Sequence, residues 1–171
     1  MYDEAFYAEE TRVALDSATI VLPWVLEELD DPLKVIDIGS GTGAWASVAA
    51  DIGCIVRAVD KNIPFHLQQV PITECDLLDG YPCHGWDLAI CLEVAEHLPE
   101  LSGPKLVEGL AQATSVLFSA ATPGQPGVGH INCQPHDYWH GLFAEHGLTP
   151  TLIGDQFTEP VANFYIRNMY L

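Results

Sequence analysis

Basic residues are scarce in this sequence of 171 residues: Lys and Arg together number 6, against 24 Asp and Glu, and the formal net charge is −18. Proteins bind the phosphate backbone of nucleic acids mainly through Lys and Arg, and anionic membranes attract basic segments for the same reason. The charge therefore argues against a nucleic-acid partner and against a membrane surface. We expect this protein to bind neither.

Long apolar runs, CxxC cysteine pairs and internal repeats are also missing. The apolar stretches are only as long as strands, and the acidic start MYDEAFYAEE is unlike a signal peptide. The five cysteines are an odd number, and several fall in predicted strands, which favours buried free thiols in a reducing compartment. These absences predict a cytoplasmic protein without a transmembrane segment or a disulfide framework.

Strand and helix patterns alternate along most of the chain. The predicted strands lie at 33–38, 54–59, 70–75, 86–92 and 115–121, with two more near 148–153 and 162–171, and the predicted helices lie at 8–29, 43–52, 104–113 and 137–147. Pro23 is expected to kink or break the first helix. The alternation predicts one α/β domain over 1–171 with a doubly wound, mostly parallel sheet, in which residues 1–32 form a helical cover and 33–171 the core.

The stretch VIDIGSGTGAW, residues 35–45, joins the first strand to the next helix through Gly39, Gly41 and Gly43. Glycines at such a joint allow positive φ and a close approach of ligand to backbone, beside the free N–H groups of a helix start. Mononucleotides, dinucleotides and S-adenosylmethionine (SAM) are all bound by turns of this kind. A P-loop needs a lysine directly after its last glycine, and none is present here, so that class is excluded.

Three carboxylates near the ends of the first three strands bear on the choice between a dinucleotide and SAM. Asp60 lies about 20 residues after the glycines, where a carboxylate accepts the ribose hydroxyls of either ligand. Asp37 would repel a pyrophosphate but suits a ligand that carries an ammonium and a sulfonium group. Asp76 and the apolar Leu77 offer an acceptor and a wall to an adenine ring, although Asp76 could instead cap a turn. Together these residues favour SAM.

The motifs VIDIGSGTG, AVD, ECDLLD, WDLAICLEVAEHLP, VLFSAATPGQPG and HINCQPHDYW, in this order, resemble the class I SAM-dependent methyltransferases, in particular small bacterial and phage methyltransferase-domain proteins. The opening YDEAFYAEE and the closing NFYIRNMYL are also similar to those relatives. The resemblance implies SAM as cofactor and a Rossmann-like sheet of seven strands whose last strand is antiparallel. The cofactor-binding residues that it implies are Asp37, Gly39, Ser40, Gly41, Gly43, Trp45, Asp60, Lys61, Asp76, Leu77, Cys91, Leu92 and Glu93.

The methyl acceptor is expected near the ends of the fourth and fifth strands. His130, in the loop 122–135 after the fifth strand, is the predicted general base. Converging carboxylates and imidazoles can bind a divalent cation such as Mg²⁺ or Mn²⁺. The E-x-x-E-H pattern resembles the metal motif of small-RNA 2′-O-methylating enzymes and of some quinone-precursor O-methylating enzymes, but it also occurs where it only lines a pocket or packs a helix start. The candidate metal ligands are Glu93, Glu96, His97 and His130.

The sequence favours a SAM-dependent methyltransferase that moves a methyl group to an oxygen or nitrogen atom of a small molecule or a glycan. Two alternatives stay open. One is a metal-dependent RNA 2′-O-methyltransferase, which the negative charge opposes, and the other is a SAM-binding scaffold or regulator without turnover. The short chain has no inserted cap domain, so a second subunit of a homo-oligomer is one way to complete the acceptor site.

Overall fold

A parallel sheet organises the molecule. The computed structural model describes residues 4–30, 34–61, 63–158 and 160–171, and its strands stand in the order β3-β2-β1-β4-β5. These strands are β1 (Lys34–Ile38), β2 (Ile55–Asp60), β3 (Ile72–Glu74), β4 (Leu88–Leu92) and β5 (Ser115–Ser119). The chain runs outwards from β1 to β3 and then returns to β4, so the strand order reverses between β1 and β4. Open α/β sheets bind ligands at this kind of position, outside the carboxyl ends of the strands.

Helices cover both faces of the sheet. They are α1 (Glu4–Glu28), α2 (Ala44–Ile52), α3 (Gly103–Leu110), α4 (His136–Glu145) and α5 (Asn163–Asn168). Core residues of α1, α2 and α5 pack on one face together with Leu88 and Ile90 of β4, whereas α3 and α4 pack on the other face with Ala89 and Cys91. Burial on both faces explains why β4 is almost continuously apolar in sequence. The strands and helices predicted between 33 and 147 are present, with boundaries shifted by a few residues.

The first helix continues through Pro23, so the prediction that Pro23 breaks it is wrong. The helix runs from Glu4 to Glu28 with Pro23 inside it. Pro23 lies on the exposed side of the helix, where water can satisfy the carbonyl group that loses its N–H partner. On the opposite side, Leu22 and Val25 are fully buried, and this packing holds the helix together through the proline.

The C-terminal region differs from the predicted pair of strands. Residues Asn163–Asn168 form α5, and among the described residues antiparallel pairing is limited to isolated bridges of Tyr170 with Phe118 and with Leu152. The helix places Tyr165 and Asn168 on one side, and both are buried; a strand would send two residues three apart to opposite faces. The predicted strand at 162–171 is therefore wrong for most of its length. The described sheet has five strands rather than seven, and all of them are parallel.

Three further features complete the fold. The five cysteines are free. The sequence Asp31-Pro32, which is typical of a turn, lies outside the described residues. None of the described helices is both long enough and apolar enough to cross a membrane. The Ala162 N–H donates a hydrogen bond to the Ser17 hydroxyl at 3.1 Å, which ties α1 to the segment that enters α5, 145 residues later.

Candidate functional site

A cleft of about 490 Å³ opens at the carboxyl ends of the strands, between the sheet, α1 and α5. This volume is typical of pockets for small molecules and cofactors. The predicted cofactor-site residues that line the cleft are Asp37, Gly39, Ser40, Gly41, Trp45, Asp60, Lys61, Asp76, Leu77, Leu92 and Glu93. The two others lie outside its walls. Gly43 is the N-cap of α2, and Cys91 is fully buried, in the core that β4 forms with α3 and α4.

The glycine turn has the conformation that its sequence predicts. Gly39, Gly41 and Gly43 have φ angles of 72°, 53° and 84°, which side chains with a Cβ rarely adopt. A Cβ at Gly39 would lie 2.4 Å from Cγ2 of Val94. The turn therefore brings main chain, rather than side chains, to the wall of the cleft.

Asp37 lies at the base of the turn and is only 3% exposed. Its carboxylate accepts a hydrogen bond from the Ala46 N–H, in the first turn of α2, at 3.3 Å. Burial raises the pKa of Asp37 to about 7, and the negative charge of Asp60 contributes in the same direction. A carboxylate thus already occupies the place at the start of α2 where a phosphate would accept hydrogen bonds.

Asp60, Lys61 and Asp76 form the edge of the cleft beside β2 and β3. The Asp60 carboxylate accepts hydrogen bonds from the main-chain N–H groups of Gly41, at 2.7 Å, and Lys61. Burial raises the pKa of Asp60, and these two bonds oppose the rise. The Lys61 ammonium pairs with Asp76 and lowers its pKa. Asp76 also accepts the Leu78 N–H at 3.2 Å, so it caps a 3₁₀ turn in addition to lining the cleft.

Two carboxyl groups follow β4. Glu93 lines the cleft, has a φ angle of 54° and accepts a hydrogen bond on Oε2 from Gln125 Nε2 at 3.2 Å. Glu96 is fully buried and accepts the Ala121 N–H at 3.1 Å. Burial raises the pKa of both groups, and the charge of Glu93 helps to raise the pKa of Glu96 to about 8. The two carboxyl groups therefore interact, and ionisation of one opposes ionisation of the other.

The two imidazoles of the predicted acceptor site lie together but differ in access to the cleft. His97 lines the cleft, whereas His130 is not among its walls and stands edge-to-face against His97, with ring centroids 5.0 Å apart. Ligand atoms of Glu96, His97 and His130 all lie within 4.8 Å of one another. The structure thus brings three of the four candidate metal ligands together, and Glu93 is not part of that group.

Sequence reasoning predicted residues 1–32 as a helical cover without naming any of its residues in the cleft, and it missed the wall that α5 provides. These cleft residues are Phe6, Tyr7, Glu10, Thr11 and Ala14 of α1, and Phe164 and Tyr165 of α5. The hydroxyl groups of Thr11 and Thr42 are 2.7 Å apart, and Trp45 Nε1 donates to the Tyr165 hydroxyl at 3.2 Å. The sequence feature that pointed to these two segments was their similarity to methyltransferase relatives, because neither segment contains a motif with evident chemistry.

Comparison with known proteins places these features in context. A family model described as a methyltransferase domain matches residues 7–124. No curated protein matches the chain at a significant level. The matched solved structures include an O-methyltransferase family protein from Burkholderia thailandensis, with 13% identity, a TM-score of 0.69 and coverage of 86% of this chain and 55% of that one.

Two further structures share the fold at similarly low identity. A Nostoc punctiforme protein described as an O-methyltransferase has 12% identity, a TM-score of 0.72 and coverage of 96% of this chain and 58% of that one. The magnesium protoporphyrin IX methyltransferase of Synechocystis, solved with bound S-adenosylhomocysteine (SAH), has 19% identity, a TM-score of 0.63 and coverage of 88% and 80%. The chain thus spans little more than half the length of the Burkholderia and Nostoc proteins.

Proposed function

The chain belongs to the methyltransferase domain family, and from that premise we propose that it is a SAM-dependent methyltransferase whose cleft binds the cofactor across neighbouring strand ends. The observation that carries this proposal is the order of three carboxylates in one cleft. Asp76 follows β3, Asp60 ends β2 and Asp37 lies near the end of β1, and these strands are adjacent. Adjacent strands are about 4.8 Å apart, so the carboxylates form a row along which an extended ligand can lie.

Each part of SAM meets suitable chemistry along this row. We place the adenine against Leu77, with its exocyclic amine towards Asp76, and the ribose hydroxyls on Asp60. The methionine end then lies over the glycine turn, where Asp37 attracts its ammonium group. The bond from the Ala46 N–H to Asp37 argues against a dinucleotide, since a pyrophosphate would face a buried carboxylate at the start of α2.

Calorimetric titration tests the cofactor directly. We expect SAM and SAH to bind the purified protein and NAD to show no measurable heat at the same concentrations. Thermal unfolding gives a second readout, because a ligand that binds only the folded state raises the melting temperature. Binding of NAD in preference to SAH would refute the proposal.

The acceptor is, in this proposal, a neutral or cationic small molecule or a glycan that is methylated on oxygen or nitrogen. Glu10, Glu93 and the net charge of −18 disfavour phosphate and carboxylate groups at the acceptor end. Methyl transfer is an in-line displacement, so the protein mainly has to position the acceptor and remove its proton. A panel of alcohols, amines and carboxylic acids, scored by formation of SAH, tests this class, and preferential methylation of the acids would contradict it.

His97 is the group that we place in contact with the acceptor proton, with His130 behind it. Burial, and then the neighbouring His130, lowers the pKa of His97, so its imidazole is neutral near pH 7 and able to accept a proton. The predicted base, His130, acts in this arrangement through its contact with His97. Activity that survives the change His97→Ala but not His130→Ala would reverse the two roles.

A metal-dependent reaction, including RNA 2′-O-methylation, is the second candidate, and the group formed by Glu96, His97 and His130 favours it. Glu96 Oε2 is buried and is bonded by no main-chain or amide donor among the described residues; the Glu93 carboxyl group lies against Glu96. One carboxylate and two imidazoles fit Mn²⁺ or Zn²⁺ better than Mg²⁺. These residues would hold the ion, which when bound would lower the pKa of an acceptor hydroxyl.

Two measurements decide the second candidate. Titration with Mn²⁺ or Zn²⁺ should show one site that the change Glu96→Gln removes, and a chelator should abolish turnover. A gel-shift assay with RNA oligomers addresses the acceptor, since the charge predicts no binding at physiological salt. RNA binding that weakens steeply with added salt would favour the RNA reaction over the small-molecule one.

A further inference from the structure

We propose that Glu93 makes the cleft sensitive to the charge of the cofactor, so that cationic SAM is held in preference to its neutral product SAH, and that Gln125 and Asn168 are positioning residues for the Glu93 carboxylate. This inference rests on the proposed function of the cleft as a SAM site. It adds a role in product release that cofactor binding alone does not require.

The strand order determines which wall faces the sulfonium group. With the adenine at Asp76 and the ribose at Asp60, the rigid adenosine unit spans the ends of β3 and β2. The sulfur is attached to the far side of the ribose, so it lies further along the same row, over the ends of β1 and β4. Glu93 directly follows β4 and lines the cleft there. Its carboxylate is therefore the negative group on the β4 side of the sulfonium.

The local structure of Glu93 is unusual for a residue with only a structural role. Its φ angle of 54° lies in the left-handed region, which costs free energy unless the surroundings enforce it. Hydrogen bonds from the Glu93 N–H to the carbonyl oxygen and to Oγ of Ser119, at 3.0 and 3.1 Å, help to enforce it. The Glu93 Oε1 atom is buried, and the side chains of Ser119, Glu96 and Asn168 lie against the carboxyl group. The surrounding structure thus fixes the Glu93 side chain as well as its main chain.

A chain of side-chain amides fixes the other oxygen. Gln125 Nε2 donates to Glu93 Oε2 at 3.2 Å, and Asn168 Nδ2 donates to Gln125 Oε1 at 2.8 Å. Asn168 is only 1% exposed, and its Oδ1 lies 3.5 Å from His136 Nε2. Because Asn168 occupies the oxygen of Gln125, the NH₂ group of Gln125 must face Glu93. The chain therefore holds the carboxylate in one orientation.

The reaction itself changes the charge that Glu93 meets. The acceptor lone pair forms a bond to the methyl carbon while the C–S bond breaks, and its electron pair stays on sulfur, which becomes the neutral thioether of SAH. The positive charge passes to the acceptor atom and leaves with the acceptor proton. An attraction between a carboxylate and a sulfonium in a partly desolvated cleft is then lost, so the product is held less tightly than SAM.

Calorimetric titration of SAM and SAH into matched variants tests the inference without an identified acceptor. We expect Glu93→Gln to weaken SAM binding roughly tenfold while SAH affinity changes less than about twofold, because the substitution keeps the shape and removes the charge. Glu27→Gln, an exposed position on α1 outside the cleft, removes the same charge and should leave both affinities unchanged. Equal losses for SAM and SAH in Glu93→Gln would overturn the charge-sensing role.

The positioning residues are tested by the same ratio of affinities. Gln125→Leu and Asn168→Asp both interrupt the amide chain, and we expect each to lower the preference for SAM over SAH by roughly threefold. A purely structural role would weaken both ligands alike and leave the ratio unchanged, which would overturn the assignment. Gln125 is half-buried in a loop, so its variant tests the inference even if Asn168→Asp does not fold. Wild-type protein that binds neither SAM nor SAH would instead refute the proposed function.

Discussion

The two halves of the cleft are built from different kinds of structure. In the proposed cofactor half, Asp37 belongs to β1 and Asp60 to β2, and Asp76 is the second residue after β3. Main-chain hydrogen bonds of the sheet therefore set their positions. The proposed acceptor half is assembled from the residues after β4, from α1 and α5 and from the loop 122–135, which meet through side-chain contacts such as that of Gln125 with Asn168. Position along a strand is therefore enough to identify the first half, whereas the second depends on contacts between distant parts of the chain.

Removal of the Asp60 carboxylate, which we place on the ribose, is the most severe test of the proposed cofactor half. Asp60→Ala should weaken SAH binding by about 1.5–3 kcal/mol, or roughly 10- to 150-fold, through loss of charge-assisted hydrogen bonds. Calorimetry measures the change. Asp51→Ala, which removes the same charge from an exposed position on α2, should have no effect. Equal affinities for wild type and Asp60→Ala would show that the row of carboxylates does not hold the cofactor.

The stability cost of the cofactor half should be visible in Asp37. The folded-state pKa of about 7 lies above the ordinary value of 3.8, so the folded protein keeps a proton that the unfolded chain releases. Stability from this group therefore falls as pH rises from about 4 to about 7, and the penalty is complete above pH 7. Asp37→Asn should raise the free energy of unfolding at pH 8 by about 1–3 kcal/mol and change it little near pH 4. Urea denaturation at both pH values measures this, and a destabilised variant at pH 8 would contradict it.

The same carboxyl group should make cofactor binding depend on pH. A bound ammonium group favours ionised Asp37, so the affinity for SAH should decrease as pH falls below about 7, by at most about tenfold per pH unit. Calorimetry in buffers from pH 5.5 to 8.5 would record the profile, and Asp37→Asn should bind more weakly with a flatter dependence. A wild-type profile that is flat across pH 7 would remove Asp37 from the ammonium site.

The smallest effect is expected in the acceptor half. His130 lies behind His97 rather than in the cleft wall, so His130→Ala should change SAH affinity by less than about twofold. Calorimetry measures the SAH affinities of His130→Ala and Asp60→Ala under the same conditions. The difference between the two losses of affinity compares the acceptor half with the cofactor half. A tenfold loss in His130→Ala would show that the loop 122–135 shapes the cofactor site as well.

What the sequence could predict follows this division. The position of Gly39 and Asp60 in the cleft wall could be predicted because a strand followed by a glycine turn leaves few alternative positions for the residues at its end. Phe164 and Tyr165 were missed because α5 is a short helix whose apolar residues also fit a strand, and its packing against Trp45 decides between the two. The sequence predicted His130 as the base at the acceptor, whereas the structure places it beside His97 and outside the cleft wall. The path of a loop with several glycines and prolines cannot be derived from spacing alone.

The hydrogen bond between Ser17 and Ala162 also bears on how the protein is made. During translation α1 leaves the ribosome early, yet the segment that secures it is synthesised 145 residues later. Contacts so distant in sequence form late in folding. The cleft wall that Phe164 and Tyr165 form is therefore completed late, and we expect a variant truncated before α5 to bind SAH more weakly than the 171-residue chain.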